Sequence, residues 1–159
     1  MTINNKIISL EKAIELSQKW KANGEKVVFT NGCFDLLHAG HITYLSEAAA
    51  LGTKLIIGLN ADKSVQALKG PSRPINDEKT RSLLLAAMQF IDAVVIFEEQ
   101  TPQNLINHLL PDVLVKGGDY TLDNIVGAKE VLENGGEVKT LSFLPGYSST
   151  SIIDKIKNS

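Results

Sequence analysis

Two of the chain's three histidines, His38 and His41, stand three residues apart around Gly40, in the run Thr30-Asn31-Gly32-Cys33-Phe34-Asp35-Leu36-Leu37-His38-Ala39-Gly40-His41. Residues at i and i+3 share one helical face, so both imidazoles can point at one ligand. Imidazole donates hydrogen bonds and can carry charge near pH 7, which suits a phosphoryl group gaining negative charge as it reacts. A helix start adds unpaired N–H groups and a partial positive charge. Gly40 leaves the backbone open to close approach by an anion. Phosphate chemistry is therefore the first expectation. A metal held by Asp35, His38 and His41 is an alternative that the spacing leaves open.

Such a turn needs a strand behind it and a helix ahead. The β-branched run KVVFT (26–30) reads as a strand buried on both faces, and a helix is expected over about 40–51, ending at Gly52. Further strands are expected at 54–60, 93–97, 113–116 and 137–142. Helices are expected at 9–22, 62–68, 77 to about 90, 123–133 and from about 149, with one more starting at Thr101-Pro102. Asn76 is the expected N-cap of the helix after the loop KGPSRPIN (69–76). Regular alternation implies an α/β fold: a doubly wound, Rossmann-like parallel sheet of five strands with helices on both faces. Ligands of such sheets sit beyond the carboxyl ends of the strands, where the histidine turn falls.

The 159 residues make one expected domain, 1–159, and 43% apolar against 21% charged residues is enough for a packed core. A formal charge of −2 leaves no basic footprint for nucleic acid or an anionic membrane, so any bound anion must be held by local geometry. Cys33, the one cysteine, excludes an internal disulfide and a Cys-rich zinc site. The N-terminus has no apolar export segment and no stretch approaches a membrane span, so a cytoplasmic location is expected.

GCFDLLHAGH (32–41) resembles the G-x-F-D-x-x-H-x-G-H signature of the cytidylyltransferase-like nucleotidyltransferases. These transfer a nucleotidyl group from an NTP to a phosphorylated acceptor and release pyrophosphate. KGPSRP (69–74), VKGGDY (115–120) and GYSST (146–150) are similar to the adenylyltransferases that make ADP-heptose, and VKGGDY discriminates best. That likeness runs from about Leu10 to Ile156, and a free-standing form beside a separate heptose kinase is expected. Relatives that use CTP resemble R-T-x-G-I-S-T near their C-terminal phosphate loop. Here the stretch is Phe143-Leu144-Pro145-Gly146-Tyr147-Ser148-Ser149, without that arginine and threonine, which favours ATP.

The resemblance implies roles position by position. His38 and His41 would contact the α-phosphate, and Lys69 would neutralise transition-state charge. Ser148, Ser149 and Thr150 would bind the β- and γ-phosphates at a helix start, where hydroxyls and free N–H groups form a reasonable cradle in any family. Thr30, Asn31, Gly32, Phe34 and Gly40 would line the nucleotide site. Asp35, Arg73, Arg81, Lys116 and Asp119 would serve the acceptor, with Asp35 orienting the loop or a ribose rather than acting as a base. Cys33 reads as packing, Asp62 as a cap and His108 as a surface residue. The implied cofactor is Mg²⁺ carried by ATP, with no protein metal site, and the implied assembly is a homodimer. Two rivals remain: a CTP-dependent enzyme on glycerol 3-phosphate or a similar phosphoalcohol, and a nucleotide-binding regulator without turnover.

Overall fold

The structure, a computed structural model, describes residues 2–159. Five strands, β1 (Val27–Gly32), β2 (Lys54–Asn60), β3 (Ala93–Phe97), β4 (Val113–Gly117) and β5 (Glu137–Leu141), form one sheet in the order β3-β2-β1-β4-β5. Every pairing is parallel. The helices are α1 (Leu10–Ala22), α2 (Ala39–Ala49), α3 (Asp62–Lys69), α4 (Glu78–Ala86), α5 (Gln103–Leu109), α6 (Ala128–Glu133) and α7 (Ser149–Lys157).

Alternation along the strands builds two cores. Val27 and Phe29 of β1, Ile56 of β2 and Leu114 of β4 face α1, α5 and α6, through Ala13, Leu105, Ile106 and Val131. Val28, Leu55, Ile57 and Val113 face the other way, onto Leu45 and Ala48 of α2 and Leu85 and Ala86 of α4. Because both faces are covered, the central strands read as continuous apolar runs. β5 is an edge strand, largely exposed and carrying Glu137 and Lys139, the kind of charge that discourages edge-to-edge pairing. The doubly wound, five-stranded expectation holds.

Boundaries moved where local chemistry decided them. β1 runs on to Gly32, so the first residues of the histidine run are still strand. Asp77, not Asn76, caps α4: its carboxylate accepts from the Thr80 amide at 2.7 Å, while the Asn76 amide is drawn away to Asp35. That helix stops at Ala86, short of the expected 90. The expected helix over 123–133 is broken into a 3-10 turn, Leu122–Asn124, and α6, with Gly127 at φ +82° between them. Pro102 rather than Thr101 precedes α5, with no side-chain cap. A short 3-10 turn, Ile3–Lys6, not anticipated from the sequence, leads into a backbone bridge from Ile7 to Val94 of β3.

Candidate active site

β1 and β4 neighbour each other at the point where strand order reverses, and a cavity of about 450 Å³ opens beyond their carboxyl ends. That volume is ordinary for a small-molecule site. Asn31, Gly32 and Phe34 line it from the β1 side, Lys116 from β4, and Ser148, Ser149 and Thr150 from the start of α7. His38, Gly40 and His41 form its floor at the start of α2.

The histidines cap their own helix. His38 Nδ1 accepts from the Gly40 amide at 3.1 Å, and His41 Nδ1 accepts from the His38 amide at 3.3 Å. A ring nitrogen that accepts carries no proton, so each neutral imidazole keeps its hydrogen on Nε2. The rings lie 3.9 Å apart between centroids. Burial pushes His41 down to about 4, helped by the neighbouring His38 and Lys69, and burial lowers His38 as well. The pair is therefore two neutral Nε2–H donors near pH 7, not the charged imidazoles that their type alone allows. Gly40 is required by this packing: a Cβ there would stand 2.8 Å from His38 Cε1 and 3.2 Å from Tyr147 Cβ. Phe34 adopts φ +46°, a conformation costly for a side-chain-bearing residue, as its ring packs over Gly32.

Asp35 is buried and saturated. Oδ1 accepts from the amides of Ile75 (3.0 Å) and Asn76 (2.9 Å), and Oδ2 from Ile75 N and Arg73 Nε, both at 2.8 Å. Burial alone would raise this carboxyl, but the two amides and the Arg73 guanidinium outweigh it and hold it below the usual carboxylate range. Asp35 thus pins the 69–76 loop onto the histidine run. Lys69, the last residue of α3, enters the cavity beside that pinned loop, as does Arg73. Lys116 lies 5.1 Å from the centre of the Tyr120 ring.

At α7, Ser148 Oγ accepts from the Ser151 amide at 3.0 Å, and Ser149 Oγ donates to the Leu36 carbonyl at 2.9 Å. Capping leaves the Ser148 hydroxyl its hydrogen to donate, whereas Ser149 spends its own in tying the helix to the histidine run. The backbone adds to this: Ser149 and Thr150 hold the first two helical positions, whose amides have no carbonyl partner within the helix.

Three sequence candidates fall elsewhere. Thr30 is 1% exposed and hydrogen-bonded to Tyr44 and the Val115 carbonyl, so it stands behind the cavity wall. Arg81 is 0% exposed; Nη1 donates to the carbonyls of Cys33 (2.8 Å) and Asn60 (2.7 Å), Nε to that of Asn76 (2.9 Å), and Nη2 to Asp62 Oδ1 (2.7 Å). It fastens the segments around the site and does not line the cavity. Asp119 is exposed and not part of the lining. Cys33, read as packing, does line the cavity, and burial pushes its thiol up and away from reactivity. Sequence reasoning also missed Tyr44, Tyr120, Phe143 and Tyr147 in the lining. For Tyr44 a signal existed, since it lies three residues past His41 on the same helical face.

A family model described as Cytidylyltransferase-like matches residues 29–155. The chain is 51% identical over 152 residues to the bifunctional protein HldE of Methylobacillus flagellatus, covering 96% of this chain and 31% of that protein. It is 55% identical over 148 residues to HldE of Histophilus somni, covering 93% and 30% respectively. The chain thus spans about a third of the length of the curated relatives it matches. Among solved structures, the lipopolysaccharide core biosynthesis protein from Thermoplasma volcanium aligns with a TM-score of 0.60 at 28% identity, over 76% of this chain and 98% of that one. Pantoate-beta-alanine ligase from Francisella tularensis aligns with a TM-score of 0.60 over 96% and 78%, but at 13% identity it shares the fold alone. The match to the family model takes in the sheet, the histidine turn and the start of α7 together, and the chain accordingly belongs to the cytidylyltransferase-like family of nucleotidyltransferases.

Proposed function

We propose that this chain transfers AMP from ATP to D-glycero-β-D-manno-heptose 1-phosphate, giving ADP-heptose and pyrophosphate for surface-glycan synthesis. The observation that carries the proposal is the self-capped histidine turn, which leaves an Nε2–H donor on each of two imidazoles lining a cavity that Lys69 and the start of α7 also line. Identity above 50% to proteins named HldE supports the assignment within the family. So do the motifs VKGGDY and GYSST and the missing arginine and threonine of the CTP-using pattern. A separate kinase supplying the sugar 1-phosphate, and a homodimer, accompany this reading.

In the proposed reaction a phosphate oxygen of the sugar 1-phosphate attacks the α-phosphorus of ATP in line. The new P–O bond forms as the bond from the α-phosphorus to the α,β-bridging oxygen breaks, and pyrophosphate leaves with that electron pair. The acceptor is already an anion, so no base is needed, and Asp35, with its oxygens filled, offers none. His38 and His41 donate to the α-phosphate oxygens on which charge accumulates, and Lys69 adds a full positive charge. The first amides of α7 hold the β- and γ-phosphates, while Arg73 and Lys116 hold the acceptor.

Mg²⁺ enters as the counter-ion of ATP. Among the described residues no group of three or more His, Cys, Asp or Glu could hold a metal ion, and the Asp35 oxygens are committed. The described residues thus offer no all-protein cage for a cation, and in this reading Mg²⁺ would arrive with ATP and add positive charge at the triphosphate.

His38→Ala and His41→Ala test the proposal. Each is expected to lower kcat by about a hundredfold or more while calorimetric ATP affinity changes only severalfold. Equal losses in turnover and affinity would reduce the histidines to binding groups.

A further inference from the structure

The seam between β1 and β4 ends early. β1 stays in register with β2 to its last residue, Gly32 against Leu59, and β4 with β5 to Gly117 against Leu141. β1 and β4 pair only at Val28 with Val113 and Phe29 with Leu114. Beyond that point the strands fork, and the cavity lies past the fork, between Asn31 and Gly32 on one side and Lys116 and Gly117 on the other.

The first residues past the fork are Thr30 and Val115. Thr30 Oγ1 donates to the Val115 carbonyl at 2.9 Å, which uses the only hydrogen of that hydroxyl. The 2.7 Å contact between Thr30 Oγ1 and the Tyr44 hydroxyl therefore has Tyr44 as donor. Thr30, Tyr44 and Val115 are all buried. Tyr44 sits on α2 one turn past His41, and Val115 directly precedes Lys116. A buried chain of two hydrogen bonds thus links the helix bearing the histidines, across the fork, to the strand bearing a candidate acceptor contact.

We infer that Tyr44 is a positioning residue: its hydroxyl locks the first turn of α2, with His38 and His41, onto the β1–β4 fork and fixes where the two imidazoles stand relative to Lys116. Its importance to turnover rests on the adenylyl-transfer reading above. The phenol has no hydrogen left for a ligand, and burial pushes it up to about 12, so it stays protonated and serves neither as phosphate donor nor as acid.

Tyr44→Phe removes one oxygen and keeps the ring, and Thr30→Val removes both hydrogen bonds at nearly constant volume. Two readouts decide. In the protein without substrate, amide exchange at Gly40 and His41, followed by NMR, is expected to accelerate about tenfold in either variant, since the strut resists local opening. In turnover, kcat is expected to fall about tenfold with the KM for ATP within twofold, and the double variant is expected to lose no more than either single one. Unchanged exchange overturns the strut. Faster exchange with unchanged kcat makes it structural only and overturns the positioning role, as would parallel losses in kcat and ATP affinity, which would make Tyr44 a ligand contact. Should the wild-type protein turn over no substrate at all, the adenylyl-transfer reading fails, and amide exchange alone judges the strut.

Discussion

At the scale of single residues, the site depends on which nitrogen of each histidine is already in use. With Nδ1 of His38 and His41 accepting backbone amides, protonation would break the turn that presents them. His41 is held near 4 when folded against an ordinary value near 6.5, so the unfolded chain binds its proton first. Its contribution to stability is complete above about pH 6.5 and is lost as pH falls toward 4. Thermal midpoints measured from pH 7 to pH 4 should therefore fall less steeply in His41→Gln than in the wild type; identical slopes would contradict the assignment. Gly40→Ala is expected to leave the fold intact but displace the His38 ring, lowering kcat about tenfold or more. Turnover equal to wild type would show that the close packing is dispensable. The placement of the histidine pair was legible because the i, i+3 spacing puts both at one helix start on one face. Arg81 was not, because whether an arginine faces a ligand or a set of carbonyls depends on what packs above it.

At the scale of elements, the loops after β1 and β2 are held together by two buried ions. Asp35 gathers the 69–76 loop, and Arg81 fastens the histidine run, the end of β2, the start of α3 and the residue before the α4 cap. Arg81→Ala would leave three carbonyls without their donor and release the partly exposed Asp62 carboxylate to water, a loss of about 3 kcal/mol or more from orphaning buried acceptors at about 1–3 kcal/mol each. Urea unfolding measures it, and Arg81→Lys should not rescue it, since an ammonium cannot span that fork of partners. A loss below about 1 kcal/mol would mean that water or a neighbour replaces the guanidinium. Apolar periodicity sufficed for α1, although Ser9, read as the first residue of that helix, is its cap. The same signals failed at α4 and α6, because the Asp77 cap competes with an adjacent Asn76 and because Gly127 breaks a helix at a left-handed turn.

At the scale of the whole molecule, the strand order places the fork between β1 and β4 under the histidine turn, the β4 loop and the start of α7, so residues more than a hundred positions apart share one cavity. Alternation of strands and helices foretold the layers and the end of the sheet at which the cavity opens. The aromatic lining by Tyr120, Phe143 and Tyr147 was hidden, because loop residues show no periodicity and their convergence follows from strand order. The central claim is adenylyl transfer to a sugar 1-phosphate. It is tested most directly by pyrophosphate release with Mg²⁺, with ATP and CTP each offered D-glycero-β-D-manno-heptose 1-phosphate or glycerol 3-phosphate. Release with ATP and the heptose phosphate alone is the expected result. Release with CTP and glycerol 3-phosphate, or no release in any of the four mixtures, would contradict it.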